Sequence, residues 1–113
     1  MHFFRFYFII VLFFISKFGF AQKVFTVDYA SQADIKVFVV DYQSQADLNV
    51  YIVDYQSQAK GNEGFWYFVD YKSQSDKTIF FVDYQSQADV LIYFVAYKSQ
   101  SGWNATSKKH LFY

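Results

Sequence analysis

The chain has 113 residues, 54% of them hydrophobic and 26% aromatic, with ten acidic side chains balancing ten basic ones. That length sets a single domain as the expectation, the composition excludes a disordered tail, and the missing basic excess argues against a nucleic-acid binder. Without cysteine there is no disulfide framework, thiolate metal site or cysteine nucleophile, and four glycines with no proline exclude collagen-like and polyproline sequences.

Residues 1–21 read as a secretory signal. Arg5 supplies the positive charge, residues 6–15 form an unbroken apolar run, and Gly19 and Ala21 place small side chains at −3 and −1 of a cleavage site. Ser16 and Lys17 interrupt the run well short of the roughly 20 apolar residues that a spanning helix needs. The expectation is cleavage before Gln22, a mature domain over 22–113 with a formal charge of −2, and no stable membrane anchor afterwards. The protein is then secreted, to the periplasm or the cell exterior.

The remainder is one motif written six times: VDYASQAD at 27–34, VDYQSQAD at 40–47, VDYQSQAK at 53–60, VDYKSQSD at 69–76, VDYQSQAD at 82–89 and VAYKSQSG at 95–102. Its tyrosines, Tyr29, Tyr42, Tyr55, Tyr71, Tyr84 and Tyr97, are 13 residues apart except for one step of 16 across the loop-like tract 60–64. A second step of 16 reaches Tyr113, so that Tyr29, Tyr71 and Tyr113 lie 42 apart. The mature chain is therefore two similar halves of three units each, followed by a truncated seventh unit at 111–113. Such regularity calls for an architecture in which every unit meets the same surroundings.

Each unit opens with a hexamer of β-forming residues: VFTVDY, VFVVDY, VYIVDY, WYFVDY, IFFVDY and IYFVAY. The seven residues left in a period of 13 are too few for a crossover helix, which predicts an all-β fold. Alternation puts aromatic, valine and tyrosine on one face of each strand, as in Phe25, Val27 and Tyr29. The other face carries two mostly bulky residues and an aspartate, as in Val37, Val39 and Asp41. A sheet wet on one side would alternate apolar with polar, and these strands do not, so most strands should be covered on both faces. A simple meander of this size would struggle to provide that cover. The chain must wrap around itself. The S-Q-A-D half of the unit fits a helix-start pattern, but no apolar helical run follows it, so a turn or short bridging strand is expected.

The repeated V-D-Y-x-S-Q-A-D string, its 13-residue spacing and its two halves resemble the septoil-knot domain, a bacterial family in which a short all-β chain is tied into a seven-crossing torus knot. The resemblance covers about residues 23–113. It implies a compact, monomeric, pseudo-twofold knotted β domain with no established biochemical activity and no catalytic residues to carry over. The positions that carry it are Asp28, Asp41, Asp54, Asp70 and Asp83 with their following tyrosines, and the Ser-Gln pairs. Ala96, Lys60 and Gly102 depart from it. Knots are otherwise almost absent from protein folds, and only the resemblance points to one.

The five repeated aspartates are the foremost candidates for a site. They read either as a ring of carboxylates for a hard cation or as acceptors that fix the register of a tight wrap. Calcium loops place ligands close together around a glycine, whereas these lie 13 or 16 apart without one, which favours the acceptor role. No cofactor or metal is expected. Nor is an enzyme, because six near-identical units do not make the single asymmetric constellation that catalysis needs, and His110, expected in a strand, is the one histidine left after cleavage. Asn104-Ala105-Thr106 forms a glycosylation sequon expected at an exposed loop tip, while Trp66 and Trp103 are expected in or over the core. Two readings of function remain: a secreted structural or interaction domain whose selected property is persistence, or an amyloid-like surface repeat. In-register stacking would set aspartate on aspartate, which favours the closed monomer. A ligand- or cation-binding envelope module is a further version of the first reading, with no partner indicated.

Overall fold

The computed structural model describes residues 21–113; the proposed signal, apart from Ala21, lies outside them. Six strands form a closed parallel barrel: β1 Lys23–Thr26, β2 Ile35–Val39, β3 Leu48–Ile52, β4 Phe65–Phe68, β5 Lys77–Phe81 and β6 Val90–Phe94. Their order around the barrel is β4-β1-β5-β2-β6-β3, with β3 pairing back onto β4. A two-residue strand, β7 Gly102–Trp103, runs antiparallel on β3.

This order interleaves the two halves of the sequence. Each barrel pairing joins a strand of β1–β3 to a strand of β4–β6, and none joins two strands of the same half. The chain goes round once, leaving every second place empty, and fills those places on a second lap. Followed around from Val24, the registers return to β1 about twelve residues away, a steep stagger for six strands.

Interleaving also explains how parallel strands manage with such short connections. Each connection within a half arches over the one strand between its ends. The 3₁₀ turn Ala30–Gln32 rests on β5, Gln43–Gln45 on β6, Lys72–Gln74 on β1 and Gln85–Gln87 on β2, and the turns that end the halves, Gln56–Gln58 and Lys98–Gln100, rest likewise on β4 and β3, giving six such arches. Most of both strand faces is thereby covered, as the sequence predicted, but Thr26, Val39 and Ile52 at the ends of their strands are exposed. Val24, Val37, Val50, Trp66, Ile79 and Ile92 fill the interior, and the outward valines, among them Val27, Val40, Val53, Val82 and Val95, are buried beneath the arches.

The hexamers themselves are cut shorter than expected. The strands are four or five residues long and stop before V-D-Y, because the chain must leave the sheet there to climb over its neighbour. The valine makes the last barrel hydrogen bond, as Val40 N–H does to Ile92 C=O at 2.9 Å. The aspartate and tyrosine that follow project from the bend, so they do not extend the two strand faces as the alternation implied.

The C-terminus differs from expectation too. Residues 111–113 add no seventh strand, and His110 is not in one; they belong to or end the 3₁₀ helix Thr106–Phe112. The barrel is already closed, so three further strand-like residues find no edge to pair with. Instead Phe112 is buried against Trp66 and Trp103, with ring centroids 5.3 and 5.8 Å away. Its carbonyl accepts from Gln22 Nε2 at 2.9 Å. Gln22 precedes β1 and Trp66 lies early in β4, so Phe112 stops the end of the barrel from which the parallel strands set out. Trp66 and Trp103 thus take the core and cover roles expected of them.

Candidate functional site

Four of the six units have two aspartates, and the structure gives them different work. Those that close the repeat fix the register. Asp34, Asp47, Asp76 and Asp89 each sit opposite a residue of the other half and clasp its backbone from both sides. Asp89 N–H donates to Lys36 C=O at 2.7 Å while Asp89 Oδ2 accepts from Lys36 N–H at 2.8 Å. The same reciprocal pair joins Asp34 to Thr78, Asp47 to Leu91 and Asp76 to Lys23. Asp47 adds an ion pair with Lys108 at 3.2 Å, and its carbonyl receives the N–H groups of Asn104 and Ala105. It therefore ties the second lap and the C-terminal segment to the first.

The clasp is missing where a half ends. Lys60 and Gly102 stand at the corresponding positions; Lys60 bridges Ala21, and Gly102 pairs with Asn49 through β7. Sequence reasoning gave the register role to the other aspartates. The signal it passed over was this coincidence of a lost carboxylate with each end of the 42-residue period.

Asp28, Asp41, Asp54, Asp70 and Asp83 are exposed and, among the described residues, make no side-chain hydrogen bond or ion pair. They do not act as register-fixing acceptors. They line the outer surface of the arches and do not converge, and no group of three or more His, Cys, Asp or Glu among the described residues is placed to hold a metal ion. The turn tyrosines, five of them beside these aspartates and Tyr97 beside Ala96, are the most exposed large hydrophobic side chains among the described residues: Tyr29, Tyr42, Tyr55, Tyr71, Tyr84 and Tyr97 have between 67% and 69% of their surface in solvent. Tyr113 is exposed at the chain end, its N–H bonded to His110 C=O at 3.3 Å.

Between neighbouring arches lies a repeated groove. One copy, of about 610 Å³, is lined by Phe80, Val82, Asp83 and Gln87 with Ala30 of the adjacent arch and Lys36 of β2. Another, of about 220 Å³, is lined by the equivalent Phe25, Val27, Asp28 and Gln32 with Lys72 of its own neighbour. Other polar contacts are local. His110 Nδ1 lies 2.9 Å from Ser107 O, and Lys109 bonds Glu63 at 2.8 Å, which raises its ammonium pKa above the usual lysine value. Asn104, in the sequon, is exposed and donates from Nδ2 to Ala46 C=O at 3.0 Å.

A closed barrel built in two interleaved laps, with six equivalent arches on its outside, defines a small knotted all-β domain. The chain belongs to the 7(1) septoil knot domain family, whose model matches residues 21–104. The Phe112 stopper lies beyond the matched segment. No curated protein and no solved structure matches the chain.

Proposed function

We propose that this protein is an exported, non-catalytic scaffold domain, working as a monomer, whose selected property is persistence outside the cell. The observation that carries the reading is the interleaving: every barrel hydrogen bond joins one half of the chain to the other. Loss of any one strand therefore removes pairing from two strands of the opposite half, which discourages local opening. An unfolded chain that keeps its knot is also restricted, as a cross-linked chain is, and that favours the folded state without disulfides. The absence of catalysis is supported by the near-identity of the six arches and by the engagement of His110 with its own turn.

The test is the unfolding rate of the exported protein in strong denaturant, followed by pulse proteolysis. The reading expects a half-life at the slow end for domains of this size, days rather than minutes on extrapolation to water. Digestion within minutes under native conditions would contradict it.

A further inference from the structure

The pattern of identity among the repeats departs in one place from the usual rule. In a repeat fold the buried positions answer to packing and the exposed ones are free to drift. The valine at the strand exit, buried in five copies and half-buried as Val69, recurs in all six, and the exposed strand end varies through Thr26, Val39 and Ile52, both as the rule expects, while the interior position is Val24, Val37, Val50, Trp66, Ile79 and Ile92. The exposed turn, by contrast, is tyrosine, any residue, serine, glutamine in all six copies, preceded by aspartate in five. All positions within a copy share one history, so common descent alone does not explain which of them stayed fixed.

The turn itself does not require these side chains. Its backbone bond, Gln N–H to Tyr C=O, is 3.0 Å in every copy, and no non-glycine residue among those described has a positive φ. Tyrosine sits at the N-cap, where serine, threonine, aspartate or asparagine would be chosen for capping. Of the fixed side chains, only the Tyr55–Gln58 turn closes on itself, Gln58 Oε1 accepting from Tyr55 N–H at 3.1 Å. A ring that is two-thirds exposed buries little, so the tyrosines contribute little to the fold.

We infer that the six arches form a multivalent binding belt for a neutral polysaccharide. The inference rests on the reading of the domain as an exported, non-catalytic scaffold. Three observations select the ligand. A tyrosine ring offers a flat apolar face and a hydroxyl, the neighbouring carboxylate accepts from paired hydroxyls, and glutamine supplies both donor and acceptor. Those are the groups that a pyranose, apolar on its C–H face and hydroxylated at its rim, can use. Next, each groove sets one carboxylate against one ammonium, Asp83 with Lys36 and Asp28 with Lys72, so the lining carries no net charge to attract a phosphate- or sulfate-bearing polymer. Finally, the groove beside the arch recurs with equivalent residues at two places, and six like patches suit a ligand that is itself a repeat, for which weak contacts add by avidity.

The experiment is affinity electrophoresis and pull-down of the exported protein with cellulose, chitin, mannan and dextran, with heparin and double-stranded DNA alongside. We expect retention on at least one neutral polymer that persists at about 0.5 M sodium chloride, where charge attraction between exposed groups is screened, and none on the polyanions. Replacing Tyr29, Tyr42 and Tyr84 together by alanine should weaken retention about 100-fold, single replacements only a few-fold, because avidity multiplies the loss. The matching phenylalanine variants, which keep the ring, should stay within about threefold of the parent. Circular dichroism and the unfolding rate of each variant show separately whether the scaffold is intact. No retention on any neutral polymer, retention on heparin or DNA alone, or undiminished binding by a folded triple alanine variant would overturn the inference. Each of those results would leave the persistence reading standing, since that is judged by unfolding rate alone.

Discussion

Asp47→Ala and Asp41→Ala provide a matched pair, because the two residues are six apart in the same arch and only one of them clasps the other lap. Asp47 Oδ2 accepts from Leu91 N–H at 2.9 Å and meets Lys108 Nζ at 3.2 Å, with 16% of its side chain exposed. A hydrogen bond to a charged acceptor is worth about 1.5–3 kcal/mol, and its removal leaves a strand N–H without its partner. The ion pair, with Lys108 40% exposed, adds less than about 1 kcal/mol. The expected loss is therefore about 2–3 kcal/mol, or a fall in melting temperature of roughly 10–15 °C for a domain of this size. Asp41, exposed and unbonded, should change stability by no more than about 0.5 kcal/mol. Asp47→Asn should fall between them, since an amide oxygen still accepts but without charge. Thermal unfolding at one fixed scan rate, with unfolding rates at one denaturant concentration, measures all three. Equal losses for Asp41→Ala and Asp47→Ala would refute the division of labour between the two aspartates.

Gly64 has φ of +87° and its backbone lies against the Asn49 carbonyl, where a Cβ has no room, so Gly64→Ala should cost about 2–4 kcal/mol by denaturant melting. Gly61, with φ of +71° but open space, should cost only about 1–2 kcal/mol on the same change. Phe112→Ala should cost about 3–5 kcal/mol and shift tryptophan emission to the red, as Trp66 and Trp103 lose the ring that covers them. Millimolar calcium should leave the melting temperature unchanged; a rise of several degrees that chelation reverses would restore the cation reading of the aspartates. Mass spectrometry of the exported protein should find Gln22 at its N-terminus, and an intact Met1 on membrane-embedded material would contradict the signal reading.

The repeat and its β character were legible because Val, Ile, Phe and Tyr recur at a spacing too short for a helix. Coverage of most of both strand faces followed from the lack of polar alternation, and the arches bear it out with buried Val27, Val40 and Val53, whereas Val39 and Ile52 at the strand ends stay exposed. The interleaving was not legible from the residues. Six near-identical strands give no reason for β1 to prefer β5 over β2, and the knot came from the resemblance rather than from any pairing signal. Periodicity likewise marked both aspartates of each unit equally. It does not reveal which one faces a backbone N–H, and that depends on where the chain bends out of the sheet. Leu111-Phe112-Tyr113 imitates the end of a strand, but imitation in sequence does not create a free edge on a closed barrel.

Neither half of this chain pairs two of its own barrel strands; within 21–63 the one bridge is the isolated Ala21–Lys60 contact. The most direct measurement is the amide proton–nitrogen NMR spectrum of the segment 21–63 produced alone. Its three strands are each flanked only by strands of the missing half, so the segment should show the narrow dispersion of an unfolded chain. A widely dispersed spectrum that unfolds cooperatively would contradict it.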